Sequence, residues 1–182
     1  MNKDVSKQFE EIKKSLGKAK NILVASHENP DVDALGSMLA LGSALKKINK
    51  KTFLYSPDRL ADYLYFLPGI NEIITDVPPP ENIDFIFCLD YGDFQRLKLS
   101  ENFSEKKIIT IDHHLESGQR GFIKIVEPGY SSTSEIIYLL IDHLEIGMDK
   151  EIASCLLAGI LYDTGGLKHI STSSQTLKIV SE

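Results

Sequence analysis

Two runs, IDFIFCLD (Ile83 to Asp90) and KKIITIDHH (Lys106 to His114), are nearly continuously apolar over a strand's length and end on acidic or imidazole side chains. A strand with one wet face alternates polar and apolar residues, so a continuous run needs both faces buried, the mark of a parallel sheet clothed on both sides. NILVASH, KTFLYS and GFIKIVEPG are further strand candidates. Between and after them, DALGSMLALGSALKKIN, SSTSEIIYLLIDHLE and DKEIASCLLAGILYDTGG have the period and length of helices. ADYLYFL reads as a short helix and VPPP as a turn. Val5, Phe9, Ile12 and Leu16 form one face of an N-terminal helix that Gly17 ends. The pattern predicts an α/β fold: a mainly parallel β-sheet with helices on both faces, in three αβα layers.

The 182 residues carry a net charge of −6, with 26 acidic and 20 basic residues, and the basic ones are scattered along the sequence. A long duplex is therefore a poor fit as the expected partner, because backbone binding is driven by clustered Lys and Arg. Cys88 and Cys155, the only cysteines, lie inside apolar runs as small hydrophobes. With no cysteine framework, no secretory leader and no apolar stretch near the roughly 20 residues of a membrane helix, the expected location is cytoplasmic, away from membranes. One domain over residues 1–182 is expected. The closing SSQTLKIVSE reads as a helix cut short before two turns.

Four segments place Asp or His at the C-terminal end of an apolar strand or helix: SHENPDVD, CLDYGDFQR, TIDHH and LYDTGG. The carboxyl ends of parallel strands share one edge, where His27, Asp31, Asp33, Asp90, His113 and Asp163 would meet. Four carboxylates brought that close repel by several kcal/mol in total, on the order expected at an effective dielectric of about 20. Lys and Arg are nearly absent from these segments, Arg96 and Lys168 excepted, so bound cations are the natural compensation. Mixed carboxylate and imidazole donors suit Mn²⁺, Mg²⁺, Fe²⁺ or Zn²⁺, and the lack of thiolates argues against a structural zinc. Two divalent ions match four carboxylates, and a pair about 3.5–4 Å apart can clamp a phosphate and activate a water.

Several of these residues have plainer readings. Asp33 stands where a helix cap would, Asp90 could solvate a turn before Gly92, and Asp93 with Arg96 has the spacing of a local ion pair. His143 reads as a surface histidine at a helix end, and His169 could face a phosphate. Asp112-His113-His114 resists such readings, since neither strand propensity nor packing asks for it.

The ordered motifs HENPDVDALGS, DYGDFQR, IDHH and DTGG resemble the DHH phosphoesterase family across the chain, most nearly its NrnA-like, RecJ-related branch. The resemblance implies two manganese ions: one on His27, Asp31 and Asp90, the other on Asp33, Asp90, His113 and Asp163, with Asp90 bridging. It implies that Asp112 orients a histidine, that His114 donates to the substrate or leaving group, and that Arg96 belongs with the catalytic set. Pro30 would stiffen the loop, and Gly36 and Ser37 would keep the next helix slim near the phosphate. The implied substrates are short single-stranded RNA or DNA oligonucleotides (nanoRNA), 3′-phosphoadenosine 5′-phosphate (pAp) or linear dinucleotides, with a homodimer compatible. Pyrophosphate or polyphosphate hydrolysis is the alternative, against which the sequence after Asp163 counts. Full-length members carry a second, smaller substrate-gripping domain, so a catalytically idle metal-binding fragment is the third reading.

Overall fold

A computed structural model describes residues 3–103, 106–115 and 118–182. Six strands, β1 (Asn21–Ala25), β2 (Lys51–Tyr55), β3 (Ile73–Ile74), β4 (Phe85–Leu89), β5 (Lys107–Asp112) and β6 (Ile123–Val126), form one sheet. The order is β3-β2-β1-β4-β5-β6, and every neighbouring pair is parallel. Among the described residues five α-helices accompany it: α1 (Lys3–Leu16), α2 (Val32–Lys47), α3 (Thr133–His143), α4 (Lys150–Asp163) and α5 (Ser174–Ser181). The α/β parallel-sheet expectation holds.

Alternation within the buried strands sends Ile22, Val24, Phe87, Ile109 and Ile111 into one core, and Leu23, Ala25, Ile86, Cys88 and Ile108 into another. From β1 the chain steps outward through β2 to β3, then returns to β4 and steps the opposite way. Right-handed crossovers therefore put the first connections on one face and the β4 to β5 connection on the other. Both faces are covered, by different means. Helices α1 to α4 all bury residues in the first core. The second face is roofed by Tyr91, Leu97 and Phe103, from the loop after β4 and the 3₁₀ turns Phe94–Leu97 and Glu101–Phe103.

Helix α4 packs on α2 and α3 as an outer layer. A Cβ at Gly36 would lie 2.5 Å from the Cys155 carbonyl oxygen, so Gly36 permits that crossing and does not make room for phosphate. ADYLYFL contributes only the 3₁₀ turn Asp62–Leu64, and two-residue β3 is too short to show any period. The C-terminal segment completes two turns as α5, fixed by a capping box between Ser173 and Thr176.

Candidate metal centre

Strand order reverses between β1 and β4, and the crevice beyond the carboxyl ends of such a pair is where open α/β sheets bind ligands. His27 and Asp31 follow β1, Asp90 follows β4, and His113 and His114 follow β5. Asp33 comes from the first turn of α2, and Asp163 is the last residue of α4. Among the described residues three groups result, each with donor atoms within 4.8 Å of one another: His27, Asp31 and Asp90; Asp33, His113 and Asp163; and Asp90, His113 and His114. All six residues expected to bind metal fall in these groups, and Asp90 belongs to two of them.

The surroundings hold each group in place. Asp90 has left-handed backbone (φ 52°), a conformation an aspartate tolerates better than most residues, and its Oδ1 accepts from the Thr133 hydroxyl at 2.8 Å. Burial first, then the charges of Asp33, Asp31 and Asp112, raise its pKa well above the usual carboxylate range. The cap of α2 is Asp31, which accepts from the Ala34 N–H at 3.0 Å, and not Asp33. Asp33 instead accepts from the backbone N–H groups of Thr133 (2.7 Å) and Ser134 (2.9 Å), the otherwise unpaired donors at the start of α3. A Cβ at Gly159 would fall 2.6 Å from Asp33 Oδ1, so α4 needs glycine there.

His113 Nε2 is 2.9 Å from Asp163 Oδ2 and 3.7 Å from Asp90 Oδ1. This Nε2 is buried and forms no hydrogen bond of sound geometry. Burial lowers the His113 pKa, but the carboxylates of Asp163, Asp33 and Asp112 outweigh it and raise it. His114 is oriented by Asp112, whose Oδ1 meets its Nδ1 at 2.8 Å and its backbone N–H at 2.9 Å. Asp112 Oδ2 also accepts from the Gly92 N–H at 2.8 Å. Burial would raise Asp112, but these bonds prevail and hold its pKa at about 2.

Arg96 does not pair with Asp93, whose side chain caps the Gln95 N–H at 2.9 Å. Its guanidinium reaches His27 Nδ1 at 2.8 Å and the Tyr91 carbonyl at 3.3 Å, tying the loops after β1 and β4 together. His27 Nδ1 also meets the Glu28 carbonyl at 2.6 Å. Half-buried His143 bonds Glu10 at 2.9 Å, linking α3 to α1, and His169 bonds the Asp163 carbonyl at 3.0 Å. Sequence reasoning missed Thr133, Ser134 and Gly159 as supports of the carboxylates; the hydroxyl-rich SSTSE was the available signal, read only as caps. Imidazole and carboxylate donors, a charge excess of carboxylates and the unpaired Nε2 together fit divalent cations.

Residues 21–160 match the DHH family, N-terminal domain. The chain belongs to the DHH family. The matched region holds all six strands and all of these donors except Asp163. This DHH-family chain is 33% identical over 167 residues to the bifunctional oligoribonuclease and PAP phosphatase NrnA of Thermus thermophilus, covering 88% of the chain and 48% of that relative. It is 26% identical over 174 residues to a probable manganese-dependent inorganic pyrophosphatase of Streptococcus agalactiae, covering 88% and 54%. The crystal structure of an exopolyphosphatase-related protein from Bacteroides fragilis superposes with a TM-score of 0.87 at 31% identity, over 96% of this chain and 55% of that one. The DHH-family chain thus spans about half the length of the curated relatives it matches. Among its described residues, no helix is long and apolar enough to cross a membrane.

Proposed function

We propose that this chain is a metal-dependent phosphoesterase domain acting on short oligonucleotides, pAp or linear dinucleotides. The observation that carries the reading is a chain of shared donors: Asp90 groups with His27 and Asp31 and also with His113, and His113 in turn groups with Asp33 and Asp163. His27, Asp31 and Asp90 would hold one cation, manganese foremost, and Asp33, Asp90, His113 and Asp163 a second. Two such cations would supply an acidified water and neutralise charge on the phosphoryl oxygens during in-line displacement.

The remaining residues position and donate hydrogen bonds. His114, half-exposed and fixed by Asp112, is set to donate a hydrogen bond to a phosphoryl or leaving-group oxygen. Arg96 positions His27. Similarity to NrnA favours nucleotide substrates. With manganese present, nucleotide or phosphate release from a dinucleotide, pAp and pyrophosphate should be fastest for the nucleotides, and Asp90→Asn should lower it at least a hundredfold. Undiminished turnover by the variant would overturn the assignment.

Similarity to the pyrophosphatase supports a second reading, phosphoanhydride hydrolysis, which pyrophosphate as the preferred substrate would establish. Stoichiometric metal binding without turnover of any of the three would identify a metal-binding unit alone.

A further inference from the structure

At the amino ends of β4 and β5, along the margin of the face roofed by 3₁₀ turns, cations far apart in sequence converge. One hollow of about 380 Å³ is lined by Lys18, Asp84, Phe85, Lys106 and Lys107 among others. A second, of about 270 Å³, is lined by Phe94, Arg120 and Phe122 and shares Lys106 and Lys107 with the first. Asp84 is the single carboxylate among the described lining residues of the two, and its Oδ2 accepts from the backbone N–H groups of Lys20 and Asn21. Among the described lining residues, four cations thus face one committed carboxylate, with Lys106 Nζ donating to the Ile83 carbonyl at 2.9 Å, on a chain whose net charge is −6.

The cations are interleaved with aromatic rings. The Arg120 guanidinium carbon lies 5.0 Å from the centre of the Phe94 ring, and Lys107 Nζ lies 5.8 Å from that of Phe122, which is half exposed. The backbone beneath is rigidly held. Arg120 donates its N–H to the buried Tyr91 hydroxyl at 3.1 Å and accepts from Thr110 Oγ1 at 2.5 Å. A Cβ at Gly121 would come within 2.9 Å of the Ile108 carbonyl oxygen, so the segment lies tight on β5. Arg120 and Phe122 are both exposed from this fixed backbone.

The turn Phe94–Leu97 supplies Phe94 to this surface and Arg96 to the metal centre. We propose that the Phe94, Lys107, Arg120 and Phe122 surface is an accessory site for single-stranded nucleic acid, separate from the metal centre. Flexible strands bind where cations follow the phosphates and aromatic faces stack the bases, whereas a duplex or an acidic peptide would use only the charges.

The test is fluorescence anisotropy of the full chain with manganese and a phosphorothioate-linked 12-nucleotide single strand. Binding should weaken with salt. The double variant Lys107→Glu, Arg120→Glu should lose at least tenfold in affinity and flatten the dependence of log affinity on log salt by about 1.4, two phosphate contacts at roughly 0.7 each. Phe122→Ala should lose about fivefold or more, and both variants should hydrolyse pAp at the unmodified rate. Asp90→Asn should keep strand binding, so loss of turnover with binding retained separates failure of the proposed activity from failure of this site. Unchanged affinity in the double variant would overturn the proposal, as would equal binding of inorganic polyphosphate or a poly-glutamate peptide.

Discussion

Asp33 is fully buried with both carboxylate oxygens accepting backbone N–H groups, yet burial, followed by the charge of Asp163, raises its pKa to about 7. An unfolded aspartate titrates near 3.9, so between about pH 4 and 7 the folded state holds the extra proton and stability falls as pH rises. His113, also raised, adds to the same slope above its unfolded value. Asp112, held at about 2, has the opposite sign, and its contribution is lost only as pH falls below about 4. The metal-free protein should therefore melt at a lower temperature at pH 8 than at pH 5, and saturating Mn²⁺ should reverse the order, because cations bind the deprotonated groups. A metal-free melting temperature that rises over this interval would contradict the burial of these charges. Gly159 gives a steric counterpart: the Cβ of Gly159→Ala would meet Ser134 Oγ at 2.1 Å and Asp33 Oδ1 at 2.6 Å. Urea unfolding should show a loss of about 1–3 kcal/mol, the usual cost of overpacking, with weaker manganese binding by calorimetry.

At the scale of the element, the start of α3 organises more of the site than its own residues reveal. Ser132 caps it through the Glu135 N–H at 3.0 Å, while its next two N–H groups are given to Asp33. Glu135, also buried, accepts from the Ser131 N–H (3.0 Å), the Ser131 hydroxyl (2.6 Å) and the Thr176 hydroxyl (3.0 Å), and so fastens α5 to α3. Glu135→Ala should cost about 2–3 kcal/mol, since buried donors lose a charged acceptor. Hydrogen exchange should accelerate in α5 well before the strands; uniform acceleration would mean that α5 is held by other contacts. Donors of this kind were not legible in the sequence, because a backbone N–H carries no residue signature. Neither were β3 and the 3₁₀ turns, which are too short for a period. The long helices and strands β1, β2, β4, β5 and β6 were legible for the converse reason: each combines sufficient length with an apolar pattern. Asp and His at strand ends were legible because packing does not explain them.

At the scale of the whole molecule, repulsion among the clustered carboxylates is relieved before cations arrive by hydrogen bonds, by the neighbouring imidazoles of His113 and His114 and by the raised pKa values of Asp33 and Asp90. Adding manganese to one hundred times its dissociation constant should raise stability by about 2.7 kcal/mol per site, and a chelator should remove it; a melting temperature indifferent to both would exclude a preassembled centre. The convergence of Lys18, Lys106, Lys107 and Arg120 could not be seen in one dimension, since the sheet itself brings their segments together. The same topology sets a schedule. In chain order the group of His27, Asp31 and Asp90 is complete once β4 has been made, whereas the group of Asp33 and His113 lacks its last donor until α4 ends at Asp163. During synthesis from the N-terminus, the two halves of the centre therefore mature at different times, and the second comes into being only when the outer helix layer closes over the first.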